Sequence, residues 1–252
     1  MRIGSVEIGG TNPCRFVAEI SNNHNGDLAR ALRLIEAAVD AGADVIKLQA
    51  FTSDELVSLR GDGPAPAQWG EQGYTMRSLY EKARTPLVWF PRIIAECEML
   101  KVPWFSSVFG LESLALLESM GCPAYKIARL DNTQTELINR VLDIGKPLIV
   151  SRNPDYRGSP APNVAFLYCP PGYPAVVDRL PSRFSADRFL GLSSHCLAPE
   201  LPVAAIARGC KLIEMHFQLA EEPSELEANI SLDEHQFKAM VESVRTTEAL
   251  CG

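Results

Sequence analysis

The chain's 252 residues suit a single (β/α)8 barrel, which runs to roughly 250 residues, so the expectation is one domain spanning 1–252. A formal net charge of −7, with no lysine- or arginine-rich run, argues against nucleic acid or an anionic membrane as partner; an anionic small molecule would need local basic residues. Seven cysteines without paired spacing point to reduced thiols in a cytoplasmic protein, and no apolar stretch has the length of a membrane span or signal core.

Eight apolar, β-branched runs alternate with amphipathic ones, at 15–20, 45–49, 104–107, 124–127, 147–151, 164–168, 189–193 and 211–217. No G-x-G-x-x-G turn follows the first, so a dinucleotide-binding sheet lacks its phosphate-gripping loop. The first strand ends at Glu19, a candidate general acid or base whose alternative role is to hold the loop SNNHNG that follows. Asp27 caps the next helix, which stops at Gly42. Lys47 and Gln49 share one face of the second strand. A lysine buried there is costly without a negative charge, so it either binds a phosphate or carboxylate or forms a structural salt bridge.

Residues 52–91 are the longest irregular stretch, a candidate lid in which Trp69 and Tyr74 either touch substrate or anchor the segment. A helix over 91–100 leads to a strand ending in the hydroxyl donors Ser106 and Ser107. The fourth strand carries Lys126, with Arg129 and Asp131 beyond it, and the fifth ends at Ser151, followed by Arg152. Lys47, Lys126, Arg129 and Arg152 together point to an anionic substrate. The proline- and glycine-rich segment 153–163 leaves almost no helix after the fifth strand, and the sixth runs into YCPPGYPA, where Tyr168 and Tyr173 are candidates to face the site. The last two strands, joined by a helix over 199–208, deliver His195 and His216 near neighbouring C-terminal ends. With Glu214 two residues before His216, they make a candidate open divalent-metal site; the alternative is two histidines satisfied by their neighbours. Residues 221–229 are acidic and irregular, Ser231 with Glu234 reads as the capping box of the final helix, and His235 receives no role.

On FVAEISNNHNGD, AGADVIKLQAF, WFSSVF, PAYKIA, GKPLIVS, LYCPPGYPA, GLSSH and IEMHF, the chain resembles the sialic acid synthase family, which includes the pseudaminic and legionaminic acid synthases, over roughly residues 14–245. The resemblance implies a (β/α)8 barrel and a transferase that condenses phosphoenolpyruvate with the open-chain aldehyde of an amino sugar, giving a 2-keto acid of the nonulosonic type and phosphate. It implies that His195 and His216 bind a divalent ion, manganese by preference with magnesium or cobalt as alternatives. It further implies that Lys47, Lys126, Ser107 and Ser193 grip phosphoenolpyruvate, that Glu19 and Gln49 lie beside the reacting centre, and that Glu19 or Asp131 is base to the attacking water. Ser151 and Tyr173 complete the candidate substrate contacts.

Departures from the pattern are equally specific. Arg129 stands where the family has a serine, Pro171 where it has an asparagine, and Ser194 where it has an aspartate, so Arg129 and Arg152 are expected to take over anion contacts. No antifreeze-like cap domain is expected within the 252 residues, which suggests a separate capping protein; a homodimer is expected by analogy. Two other readings stand beside this one: a metal-dependent aldolase or lyase, with Lys47 or Lys126 forming a Schiff base, and a catalytically degenerate ligand-binding barrel.

Overall fold

A computed structural model of the chain describes residues 1–251. It opens with a two-stranded antiparallel hairpin, β1 (Arg2–Ile3) and β2 (Val6–Glu7), which the sequence did not announce. Eight parallel strands follow: β3 (Arg15–Glu19), β4 (Val45–Ala50), β5 (Trp104–Val108), β6 (Tyr125–Ile127), β7 (Leu148–Arg152), β8 (Val164–Tyr168), β9 (Gly191–Ser194) and β10 (Leu212–Phe217). Each pairs with the next, and β10 pairs with both β9 and β3, which closes the barrel. A short ninth element, β11 (Ser231–Leu232), adds to β10 at its C-terminal end.

The outer ring consists of α1 (Leu28–Asp40), α5 (Phe90–Met99), α6 (Leu111–Ser119), α7 (Thr135–Ile144), α8 (Glu200–Ile206) and α9 (Glu234–Cys251). In α1 the Asp27 carboxylate accepts from the Arg30 amide at 3.0 Å, and Leu34, Ile35 and Ala38 recur at helical spacing to bury one face against the barrel. The segment after β4 differs from its expected irregularity. It folds into α2 (Ser53–Arg60), α3 (Ala67–Glu71) and α4 (Met76–Ala83), with capping boxes Thr52/Glu55 and Thr75/Ser78 starting α2 and α4. Between β7 and β8 no helix forms among the described residues, as the prolines and glycines require, and none forms between β8 and β9 either. The final helix begins at Glu234 rather than Ser231: Asp233 accepts from the Gln236 amide at 2.8 Å, while Ser231 pairs with His216 in the sheet.

Two apolar shells result. Phe16, Ala18, Ile46, Leu48, Trp104, Tyr125 and Phe217 point outward under the helices. Inside the barrel, Val17, Val45, Phe105, Ala124, Ile149 and Leu212 fill the lower half, and Ile3 and Ile8 of the N-terminal segment close it from below.

Candidate functional site

Strand periodicity of two places the polar residues directly above that apolar plug. Two positions after Val17 comes Glu19, and the same step leads from Val45 to Lys47, Phe105 to Ser107, Ala124 to Lys126, Ile149 to Ser151, and Leu212 to Glu214. The strand register sets Glu19 beside Lys47, Ser107 between Gln49 and Lys126, and Ser193 beside Glu214. All of these side chains line one cavity of about 400 Å³ at the C-terminal mouth.

The floor of the cavity is a buried charge cluster. Lys47 Nζ lies 2.5 Å from Glu19 Oε2 and 2.6 Å from Glu214 Oε1; Lys126 Nζ meets the same Glu214 oxygen, and Ser193 Oγ donates to it at 2.8 Å. Glu214 thus engages the lysines through Oε1, while its buried Oε2 has no hydrogen-bond partner among the described residues. Burial pushes its carboxyl up, but Lys126 and Lys47 outweigh that and hold it well below the usual carboxylate range. Lys47 is pushed down to about 7 by burial, with Lys126 acting in the same direction and Glu214 against it. Two ammonium groups face two carboxylates, so the floor carries little net charge. Glu19 Oε1 also accepts the Ser21 amide at 2.9 Å, and Gln49 Nε2 donates to Ser21 Oγ at 3.0 Å, tying the first two strand ends together.

Beside this floor the two imidazoles stand with ring centres 5.2 Å apart. His216 Nδ1 donates to Glu227 Oε2 at 3.0 Å, which leaves Nε2 as its available lone pair. Tyr173 donates its hydroxyl to the other oxygen of Glu227 and lays its ring against His195 at 4.7 Å. Burial, then Tyr173 and His216 as hydrogen-bonding partners of Glu227, set its state: burial raises the carboxyl, but His216 and Tyr173 bring it down to about 2. Burial, then His216, pushes His195 down to about 3, so it stays neutral, and its buried Nδ1 has no partner among the described residues. Two imidazoles within reach of one another, one of them steered by a carboxylate, fit an ion whose remaining ligands come from water or substrate. No group of three or more His, Cys, Asp or Glu side chains is arranged to hold one among the described residues.

Glu227 carried no sequence signal, since it sits in the acidic segment read as irregular. Its placement depends on turns made by small polar side chains: Ser224 Oγ accepts the Glu227 amide at 3.0 Å, Ser231 Oγ donates to the Glu227 carbonyl at 2.9 Å, and Gln218 Nε2 donates to the Ser231 carbonyl at 3.0 Å.

Other expected residues divide. Arg129 lines the cavity and, among the described residues, makes one side-chain hydrogen bond, from Nη1 to Asn153 Oδ1 at 3.3 Å; Ser151 lines it too, with a buried hydroxyl that lacks a partner among them. Asp131 does not line it: Arg60 Nη2 donates to both carboxylate oxygens, at 2.6 and 2.7 Å, and Gln134 Nε2 to Oδ1 at 2.9 Å, which turns the carboxylate towards the lid and not the cavity. Arg152 is also outside. Its guanidinium stacks over Tyr156 and Phe166 at 4.5 and 5.0 Å, covering the barrel where the missing helix would pack. Tyr168 likewise stays out of the cavity, donating to the Arg179 carbonyl at 2.6 Å. Trp69 anchors the lid, donating to the Leu226 carbonyl at 3.2 Å with its ring 5.5 Å from that of Tyr173, and Lys82 adds an ion pair to Glu225 at 2.7 Å. His24 of the HNG loop is structural: Nδ1 accepts the Gly26 amide at 3.0 Å and the ring packs edge-on against Trp89.

The model of the NeuB family matches residues 34–154 and 156–252. The chain is 32% identical to the pseudaminic acid synthase of Campylobacter jejuni over 260 aligned positions, covering 94% of this chain and 74% of that one. It is 26% identical to the N-acetylneuraminate-9-phosphate synthase of Homo sapiens, covering 97% of this chain and 73% of that one. Among solved structures it superposes on the spore coat polysaccharide biosynthesis protein SpsE of Bacillus subtilis with a TM-score of 0.77 at 27% identity, covering 99% of this chain and 72% of that one. The sialic acid synthetase of Leptospira borgpetersenii shares the fold, at 23% identity and a TM-score of 0.81, covering 100% of this chain and 90% of that one.

Proposed function

The chain belongs to the NeuB family, and from that premise we propose that it is a synthase condensing phosphoenolpyruvate with an amino-sugar-like aldehyde to give a nonulosonic-type 2-keto acid and inorganic phosphate. The observation that carries the reading is the shared mouth: the Lys47–Glu214–Lys126 cluster and the His195–His216 pair line one cavity. In the proposed reaction C3 of the enol adds to the aldehyde carbon, water adds to C2, and the C2–O bond to phosphate breaks. Lys47, Lys126, Ser107 and Ser193 bind the donor, their positive charge freed as its carboxylate and phosphate compete with Glu19 and Glu214. Arg129 receives part of its negative charge, and Ser151 supplies a hydroxyl that no group among the described residues engages. Glu19 is the base for the attacking water, because it lines the cavity and Asp131 does not. His195 and His216 would hold a divalent ion, manganese by preference, which supplies Lewis-acid polarisation of the aldehyde oxygen. Glu227 keeps the Nδ1 proton on His216, and Tyr173 fixes Glu227.

The test is phosphate release and 2-keto acid formation from phosphoenolpyruvate, manganese and a panel of N-acetylated aldoses. Release of phosphate with no aldehyde in the panel, against retained binding of phosphoenolpyruvate, would sink the synthase reading. The lowered Lys47 ammonium favours one second reading, a Schiff-base aldolase, since a neutral amine is the nucleophile there. Borohydride trapping with pyruvate that leaves the protein mass unchanged removes it.

A further inference from the structure

Of the cations lining the cavity, Lys47 and Lys126 each touch a carboxylate and Arg60 touches Asp131, but Arg129 forms no ion pair among the described residues. The rim therefore carries an uncompensated positive charge that the floor does not. Arg60 is brought to the same place by the lid. It ends α2, whose start is fixed twice over: Glu55 closes the capping box with Thr52 and also accepts from the Ser113 amide and hydroxyl at 3.0 and 3.2 Å, bolting α2 to α6. At the other end Asp131, two residues after Arg129 on one 3-10 turn, takes Arg60 through Nη2 alone. Nη1 has only the Tyr80 hydroxyl, at 3.5 Å, and Nε has no acceptor among the described residues. The guanidinium also lies 5.9 Å over the Phe109 ring, and the Asp131 pair leaves Nε and Nη1 without a carboxylate among the described residues.

We propose that Arg60 and Arg129 form a phosphate-monoester subsite at the rim, half supplied by the lid and half by the barrel, with Asp131 as the residue that positions Arg60. Two guanidinium groups offer forked donors matched to phosphate oxygens, and Arg129 adds a charge that no carboxylate among the described residues offsets. The inference rests on the synthase reading only for which substrate carries the phosphate: it is either that of the phosphoenolpyruvate donor or one on the aldehyde acceptor.

Calorimetry with inorganic phosphate, phosphoenolpyruvate and pyruvate on the intact protein tests the subsite, comparing wild type with Arg60→Gln and Arg60→Lys, each checked by thermal melting. The expected result is that Arg60→Gln binds inorganic phosphate about tenfold more weakly, that Arg60→Lys recovers part of the loss, and that pyruvate binding does not change. A tenfold loss for phosphoenolpyruvate assigns the subsite to the donor. An unchanged phosphoenolpyruvate affinity, with kcat/KM for a phosphorylated aldose falling tenfold relative to its unphosphorylated form, assigns it to the acceptor. Equal weakening for phosphate and pyruvate, or no change in phosphate binding and in either ratio, overturns the subsite. Arg60-dependent phosphate binding in a protein that forms no keto acid would leave the subsite standing and remove the synthase reading instead.

Discussion

Glu227 shows how one side chain sets the chemistry of another. Its carboxylate holds the proton of His216 on Nδ1, so the proposed ion would find Nε2 ready. Replacing His216 with alanine is expected to abolish manganese uptake, and Glu227→Gln to weaken it about ten- to a hundredfold, both without loss of fold; titration calorimetry with circular dichroism checks this. Unchanged manganese binding in His216→Ala would remove the ion from this site. A second expectation concerns His24, which burial lowers to about 4. Folding favours its neutral form, so the stability linked to it is complete above the unfolded value near 6.5 and is lost as pH falls towards 4. The loss amounts to roughly 2–3 kcal/mol after allowing for incomplete burial. Urea midpoints should fall between pH 7 and 4.5, and His24→Gln should flatten that slope.

At the scale of elements, the barrel strands were legible because they are short apolar runs, and on six of them a polar residue stands two places beyond a buried apolar one. Lys47, Lys126 and Glu19 follow that rule, and all three line the cavity. The lid was not legible. Glycines and prolines in GDGPAPAQWGEQG masked three short helices, although the Thr52–Glu55 spacing already had the form of a capping box. Asp131 and Arg152 misled for another reason: strand ends read alike from sequence, and only the three-dimensional neighbours, Arg60 for one and Tyr156 for the other, take them out of the site. Trp69 joins the lid to the Glu227 segment, so Trp69→Ala is expected to lower kcat/KM about tenfold while costing about 1–2 kcal/mol of stability, because its ring is only half-buried. Steady-state kinetics beside thermal melting separates the two effects; a proportionate collapse of both would mean the tryptophan only holds the fold.

The whole molecule depends on closure between β9 and β10, and Gly191 is where that closure is tightest. A Cβ there would stand 2.2 Å from the Leu212 carbonyl oxygen and 2.8 Å from the Leu212 side chain. Gly191→Ala should therefore cost about 3 kcal/mol or more, read as a fall in the urea midpoint, because backbone and not a flexible tip must yield. The same closed wall, stoppered from below by Ile3 and Ile8, makes the barrel a blind shaft. For the proposed condensation the depth of the shaft sets an expected order: the donor on the lysine floor enters before the acceptor seated above it, which product-inhibition kinetics would read as ordered addition.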